Sequence, residues 1–337
     1  MKQMKSLAIQ AFLVGVLLVT AIPASAERTL TVQVNHSDRV EIQSETQTGG
    51  SEASFRFKAE QPNSSGSWPK LAVEVEKETS GQNGTGVEVE FRAAFREAFE
   101  FSDANGNGRQ DPQESRVSTV RFDSLNFAPL EVATETANGV AGYKVTIRGT
   151  QGGFAFGLVS HTFPSQTELN GSLLPDQAIK VDVVLEGYPF VSGTSLLGLE
   201  IGAESTVQRE PEFRDASHSA EITVERGTAF FRWTPEARVD GRRAPVGAVW
   251  QADGDRLFLY YPHGNSIVHD PMLGFESGPS LMPILVVVGA AGAIVITAGV
   301  LTLIRRRRRG GADLSRTPRK GAAGSKKDKT SSDTKLW

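Results

Sequence analysis

Twelve consecutive residues, Asp103-Ala-Asn-Gly-Asn-Gly-Arg-Gln-Asp-Pro-Gln-Glu114, place oxygen-bearing side chains at positions 1, 3, 5, 9 and 12 and a glycine, Gly108, at position 6. Oxygen donors at that spacing suit a hard cation, and a glycine in the middle supplies the sharp turn a chain must make to wrap one. Calcium is the ion this set fits. A solvated Asn-Gly turn with incidental acids is the plainer alternative, but it leaves the coincidence of six matching positions unexplained. Other chemistry finds less support. There is no cysteine to act as a nucleophile, and no Gly-x-Ser-x-Gly, phosphate-binding glycine loop or His-Glu-x-x-His occurs. His263, His269 and Asp270 lie close together, yet no third ligand stands at metal-site spacing, so they are expected to be packed or surface residues.

The spacing of 103–114 resembles the EF-hand calcium loop. That resemblance implies the ligands: Asp103, Asn105 and Asn107 by side chain, Arg109 through its carbonyl, Asp111 directly or through water, and Glu114 by both carboxylate oxygens. Only three of these are charged, which sets an expected affinity in the weak extracellular range, on the order of 10⁻⁴ to 10⁻³ M, fit for a structural ion outside a cell. Two positions depart from the pattern. Gln110 stands where an apolar residue usually ties paired loops together, and Pro112 stands at position 10, so pairing with a second such loop is not expected.

An ordinary EF-hand loop joins two helices, and here the flanks argue otherwise. Phe91, Phe95 and Phe99 are four apart, as a helical face requires, but every odd residue from Val87 to Phe101 is apolar except Glu97. Period-two alternation is the mark of a strand. The loop is therefore expected between two strands, the second near Arg116 to Asp123, with Phe91, Phe95, Phe99 and Phe101 directed into one core. Glu97 falls on that same face, where an unpaired carboxylate is costly and a cation partner is needed.

The rest of the exterior segment alternates in the same way, at Leu30–Val34, Phe55–Phe57, Leu71–Val75, Tyr143–Ile147 and Ile179–Leu185. Turn dipeptides separate the runs, namely Asn83-Gly84, Asn138-Gly139, Asp240-Gly241 and Asp253-Gly254. Gln61 to Trp68 reads as a long loop, and Ala220–Trp233, Pro245–Gln251 and Arg256–Tyr261 as a meander. The expected fold is all-β, an antiparallel β-sandwich built as one large or two smaller units.

Topology follows from two apolar runs. Lys2 and Lys5, an apolar stretch and Pro23-Ala-Ser-Ala26 form a signal peptide over 1–26. Ile284 to Ile304 is uncharged, and at roughly 1.5 Å per residue it matches a hydrocarbon layer of about 30 Å. Arg305 to Arg309 follow, so residues 27–280 are expected outside, 284–304 as a single transmembrane helix, and 305–337 as a basic, disordered cytoplasmic tail. The tail's cations suit anionic lipid headgroups. Of 36 basic residues, 2 lie in the leader and 12 in the tail, which leaves 22 against 36 acids outside. An exterior near −14 argues against nucleic acid as its ligand, since phosphate binding needs a basic face.

With no cysteine, the exterior domain must hold by core burial and bound ions rather than disulfides. Asn35, Asn63, Asn83 and Asn170 each begin an Asn-x-Ser/Thr sequon, which marks glycosylation. From Val87 to Phe275, the order of calcium loop, meander and Tyr-Pro-His-Gly-Asn…His269-Asp-Pro-Met-Leu-Gly is similar to that of surface-anchored β ectodomains. That likeness implies no activity and no site beyond the loop. Three roles are open at this point: a binding, adhesion or envelope-structural module for an extracellular protein or glycan; a membrane-anchored hydrolase or carbohydrate-processing enzyme with carboxylates from separate strands; and a surface receptor.

Overall fold

Alternation along the chain becomes strands wherever one face can be buried, and here two antiparallel sheets bury theirs against each other. The computed structural model describes residues 29–35, 37–48, 51–63, 66–79, 87–207, 211–224, 227–251 and 255–277. All of these belong to the first of two units into which the chain divides, Met1–Gly278. The leader 1–26, the run Ile284–Ile304, the tail 305–337 and the turns Asn83-Gly84 and Asp253-Gly254 lie outside the described residues. Among the described residues no helix is long and apolar enough to cross a membrane.

The first sheet takes β1 (Thr29–Asn35), β2 (Arg39–Thr48), β3 (Ser51–Glu60), β4 (Lys70–Thr79) and β5 (Val87–Phe101) as successive neighbours, then β14 (Leu196–Ser205), β21 (Arg256–Tyr261) and β20 (Gly247–Gln251). β6 (Arg116–Arg121) adds to it by pairing with the end of β5. The second sheet runs β15 (Glu212–Arg214), β16 (Ser219–Val224), β17 (Gly227–Arg232), β23 (Met272–Ser277), β13 (Ala178–Glu186), β10 (Phe154–Thr162), β9 (Val140–Gln151) and β7 (Asn126–Phe127). It is extended by β8 (Glu131–Ala137) on β9, β22 (Ser266–His269) on β13, β18 (Glu236–Val239) on β22, and β19 (Arg242–Pro245) on β18. A separate hairpin joins β11 (Thr167–Leu169) to β12 (Ser172–Leu174).

One apolar core lies between the sheets, with Phe57, Val73, Phe91, Phe95 and Leu199 from the first facing Ile147, Phe156, Val181, Val183 and Phe231 from the second. Phe95 and Phe156 meet across the gap with ring centroids 6.0 Å apart. Burying a large apolar side chain in this way contributes about 1.5–3 kcal/mol. The core also holds one polar bridge. His269 donates from Nε2 to the Thr234 carbonyl at 2.9 Å, so its Nδ1 accepts the Tyr261 hydroxyl at 3.0 Å, joining β22 of one sheet to β21 of the other. Burial favours the neutral ring and pushes His269 down to about 4.

Turn chemistry was the plainest sequence signal. Asn138-Gly139 closes β8 onto β9 and Asp240-Gly241 closes β18 onto β19, each pair with both φ angles positive (49° and 81°, 50° and 77°). The run from Ala220 to Tyr261 is not a meander. Its strands exist, but β16 and β17 pair within the second sheet and β20 and β21 within the first. The chain changes sheets between them because the β18–β19 hairpin intervenes, and adjacency in sequence forces pairing only across a short turn.

β5 does not keep one alternation along its whole length. Glu97 pairs with Glu200 and Phe95 with Ile201, so Arg96 has no opposite residue: it is the extra residue of a β-bulge. Before it, Val89, Phe91, Ala93 and Phe95 face the core; beyond it Ala98 does, while Phe99 and Phe101 point to the opposite face. The expectation of four phenylalanines in one core fails for this reason. Outside the sheet, Phe99, Phe101, Phe258 and Tyr260 form their own cluster, flanked by Leu196 and Val249.

Candidate metal centre

The loop 103–114 leaves β5 at Phe101 and returns into β6 at Arg116. Glycine makes the coil possible, since Gly106 and Gly108 sit at φ +73° and +75°, where a side chain is strained. The oxygens then organise the backbone. Asp103 accepts the Asn107 and Gly108 N–H groups at 3.1 and 2.9 Å, Asn105 accepts Asn107 N–H at 2.9 Å, and Asn107 accepts Arg109 N–H at 2.8 Å. Glu114 reaches back across the loop to the N–H groups of Ala104 (2.7 Å) and Asp111 (3.0 Å). The carboxamides of Asn105 and Asn107 both donate to one oxygen of Asp111, at 2.5 and 3.0 Å. Side chains at positions 3, 5 and 9 are thus brought to one point, with positions 1 and 12 gripping the backbone on either side.

Each of the three carboxylates is engaged by N–H donors, and among the described residues no three His, Cys, Asp or Glu side chains are grouped as a metal would group them. The donor set nonetheless fits a hard cation: it is all oxygen, the carboxamides of Asn105 and Asn107 carry both donor and acceptor ends, and the backbone is already coiled around Gly108.

The loop does not project from the molecule. It folds over the outer face of the first sheet. A β-carbon built on Gly247 would lie 2.7 Å from the Gly108 carbonyl oxygen and 3.4 Å from Cγ of Arg109, so the loop backbone rests directly on β20. The Tyr260 hydroxyl is hydrogen-bonded to the Gln110 backbone, and burial pushes that phenol up to about 12. Between loop and sheet runs a cleft of about 370 Å³, bordered by Asp103, Asn107, Tyr260 and Pro262. Gln110, one of the two departures from the EF-hand pattern, makes local contacts instead of pairing contacts: it donates to the Glu114 carbonyl at 3.1 Å and faces Arg116 Nε at 3.4 Å.

Arg116 is the hinge post of this arrangement. Its guanidinium lies 3.8 Å above the Phe99 ring, bonds Glu97, and reaches Glu200 at 3.4 Å. Glu97 thereby has the cation partner its position required, though on the outer face. Burial, then the neighbouring Glu200, still raises its carboxyl above the ordinary range. Arg96 and Arg256 approach Glu200 at 3.7 and 3.8 Å.

Several functional-looking groups were invisible in the sequence. Glu100 is fully buried at the end of β5 and collects the N–H groups of Val191 and Ser192, both at 2.8 Å, and the hydroxyls of Ser195 and Ser118 at 2.5 and 3.0 Å. Burial pushes its carboxyl up, but these four donors outweigh that and hold it below the ordinary range. On the outer face of the second sheet His161 lies 2.9 Å from Glu135 and 3.5 Å from Asp182, and despite burial the two carboxylates raise it to about 9. Their partners come from distant strands, and no local spacing announces them. His263 and His269 do not meet: His269 is locked in the core, and His263 is exposed and stacks on Phe190 with ring centroids 4.0 Å apart. Asp270 faces Lys180 at 3.5 Å. Of the sequons, Asn63 and Asn170 are exposed, and Asn83 lies outside the described residues.

A scan against protein-family models found no match to this chain, and a search of curated proteins found none either. The class that fold and loop define is an all-β, antiparallel, sandwich-like domain with an oxygen-lined loop laid on one sheet.

Proposed function

We propose that the chain is a single-pass surface protein whose exterior β domain is held rigid by calcium in 103–114 and serves as a binding, adhesion or envelope-structural module. The ion's ligands are Asp103, Asn105, Asn107, the carbonyl of Arg109, Asp111 and Glu114. The observation that carries this reading is the placement of the loop: an oxygen-rich, coiled segment rests on Gly247 and Tyr260, so whatever orders the loop also shields that side of the Phe99–Phe101–Tyr260 cluster. An ion does so by replacing weak N–H contacts to Asp111 with strong ionic ones.

The described chain leaves the domain at Ser277, where β23 runs past Ala178, the start of β13. The loop lies near the opposite end, beside Leu196 and Tyr261. The exterior ligand is an extracellular protein or glycan, and the tail 305–337 rests against anionic headgroups. Asn63 and Asn170 carry glycans in this reading.

A hydrolase would need two acids across an open cleft beside aromatic residues. Glu97 and Glu200 do lie beside Phe99 and Phe258, but Arg116 spans both carboxylates, so this pair serves structure.

Calorimetry decides the calcium reading. The wild-type chain is expected to bind calcium in preference to magnesium and to gain about 2.7 kcal/mol of stability at calcium a hundredfold above Kd. An Asp103→Ala, Glu114→Ala double variant should lose that gain. Retention of the same calcium-dependent rise in melting temperature would remove the loop as the site.

A further inference from the structure

A sheet edge is a row of unpaired N–H and C=O groups, and folded chains blunt such edges with charge, proline, brevity or a cover. Nearly every edge among the described residues is treated in one of these ways. β15 has three residues, two of them Glu212 and Arg214; β19 carries Arg242, Arg243 and Pro245; β8 carries Glu131 and Glu135; β6 carries Arg116 and Arg121; β7 has two residues. β20 starts beneath the 103–114 loop, where Gly247 meets the Gly108 carbonyl.

β1 is the exception. Its seven residues, Thr-Leu-Thr-Val-Gln-Val-Asn, include no charge and no proline, its only strand partner among the described residues is β2, and Val34 is 61 % exposed. The sequence is also self-complementary. Laid antiparallel on a second copy about Val32, it sets Leu30 opposite Val34, Thr31 opposite Gln33 and Val32 opposite itself. Apolar residues then meet on the face where Leu30 and Val32 already pack against the core, neutral polar ones meet on the other, and no like charges oppose. A one-residue slip would set apolar against polar along the whole strand.

We infer that β1 is a pairing edge for a second copy of this chain, joined antiparallel about Val32 to continue the first sheet across two molecules. The absence of cysteine makes the register directly testable in the full-length chain, because an introduced thiol is the only one present. Opposed residues of a strand pair have β-carbons about 4.5–5.5 Å apart, near the span of a disulfide. Co-expressed Thr31→Cys and Gln33→Cys chains should therefore crosslink on oxidation several times more than either variant alone, and more than Leu173→Cys, which is exposed elsewhere. Equal yields in the mixture, the single variants and the control would overturn the proposal, as would stronger crosslinking of Gln33→Cys with itself, which marks a parallel pair. A Thr31→Lys, Gln33→Lys variant supplies an arm free of thiols. It should weaken association about tenfold or more in sedimentation while leaving the melting temperature of the dissociated chain unchanged. An unaltered mass distribution in that variant would also sink the idea.

Discussion

Each sheet carries a small apolar cluster on its outer face, away from the shared core, and the two clusters are roofed by opposite means. On the second sheet, Phe163, Ala178 and Phe230 lie under the β11–β12 hairpin, whose Leu169 and Leu174 join the cluster themselves. That roof is tied by ordinary bonds, Thr167 to the Ala137 carbonyl at 3.2 Å and Asn138 to the Glu168 carbonyl at 3.1 Å. On the first sheet Arg116 covers Phe99, and the roof over Tyr260 is the polar 103–114 loop, which offers backbone and side-chain oxygens but no large apolar side chain. A roof that adds apolar surface stabilises itself as it closes. A polar roof gains little from closing, and its order must come from its own internal bonds and, in our reading, from an ion.

The sharpest way to break this contrast is to truncate one ring under each roof. Tyr260→Ala and Phe230→Ala should each cost about 3–5 kcal/mol in denaturant unfolding with calcium present, as buried aromatic truncations do. With calcium chelated, the Tyr260→Ala cost should fall by more than half, because the ring is then partly wet before it is removed. The Phe230→Ala cost should not move. Equal sensitivity of the two to chelation would end the distinction between the roofs.

Acidity supplies a control that belongs to neither roof. His269, held at about 4, regains its ordinary value near 6.5 on unfolding, so the unfolded chain binds the extra proton and stability falls as pH drops from 6.5 toward 4, by on the order of 3 kcal/mol. His161 has the opposite sign. Raised to about 9, it adds stability that is fully present below 6.5 and lost as pH rises through 9. Stability from these two groups therefore peaks near pH 6.5. Thermal melts across pH should show His269→Gln flattening the acid limb and His161→Gln the alkaline limb, to the same extent with and without calcium. A calcium-dependent limb would tie one of the histidines to the loop.

The smallest expected effect isolates the seating of the polar roof from its ligands. Gly247→Ala drives a methyl into the Gly108 carbonyl and should cost about 1–3 kcal/mol, as overpacking does. No ligand side chain changes, so calorimetry should still find calcium bound, while an apolar dye should report the cluster beneath as more exposed. Loss of calcium binding in this variant would show that seating and coordination are one event.

What the sequence disclosed and what it withheld divide along local and distant interactions. Alternation from Val87 to Phe101 marked a strand, and the Asn-Gly and Asp-Gly pairs marked hairpins, because each of those signals is carried by neighbouring residues. The coil of the loop was visible for the same reason. Its destination was not: that Gly108 would come to rest on Gly247, or Gln110 on Tyr260, depends on residues about 140 positions apart, a separation that no spacing encodes. The four donors around Glu100 come from Ser118 and the 191–195 segment, so an acid expected on the outer face was in fact the anchor of another loop. The bulge escaped notice because Arg96 and Glu97 are both polar and both stand between alanines and phenylalanines, so the alternation continues on paper while the chain has already turned over.

That single unpaired residue works as punctuation. Up to Phe95 the strand is written for the space between the sheets, and from Phe99 onward the same strand is written for the exterior roof. An insertion or deletion between 95 and 98 would therefore not be a local lesion. It would reassign every later side chain of β5 to the wrong reader, sending Phe99 and Phe101 inward and Ala98 and Glu100 outward, and it would leave the 103–114 loop intact in composition over a cluster reduced to Phe258 and Tyr260.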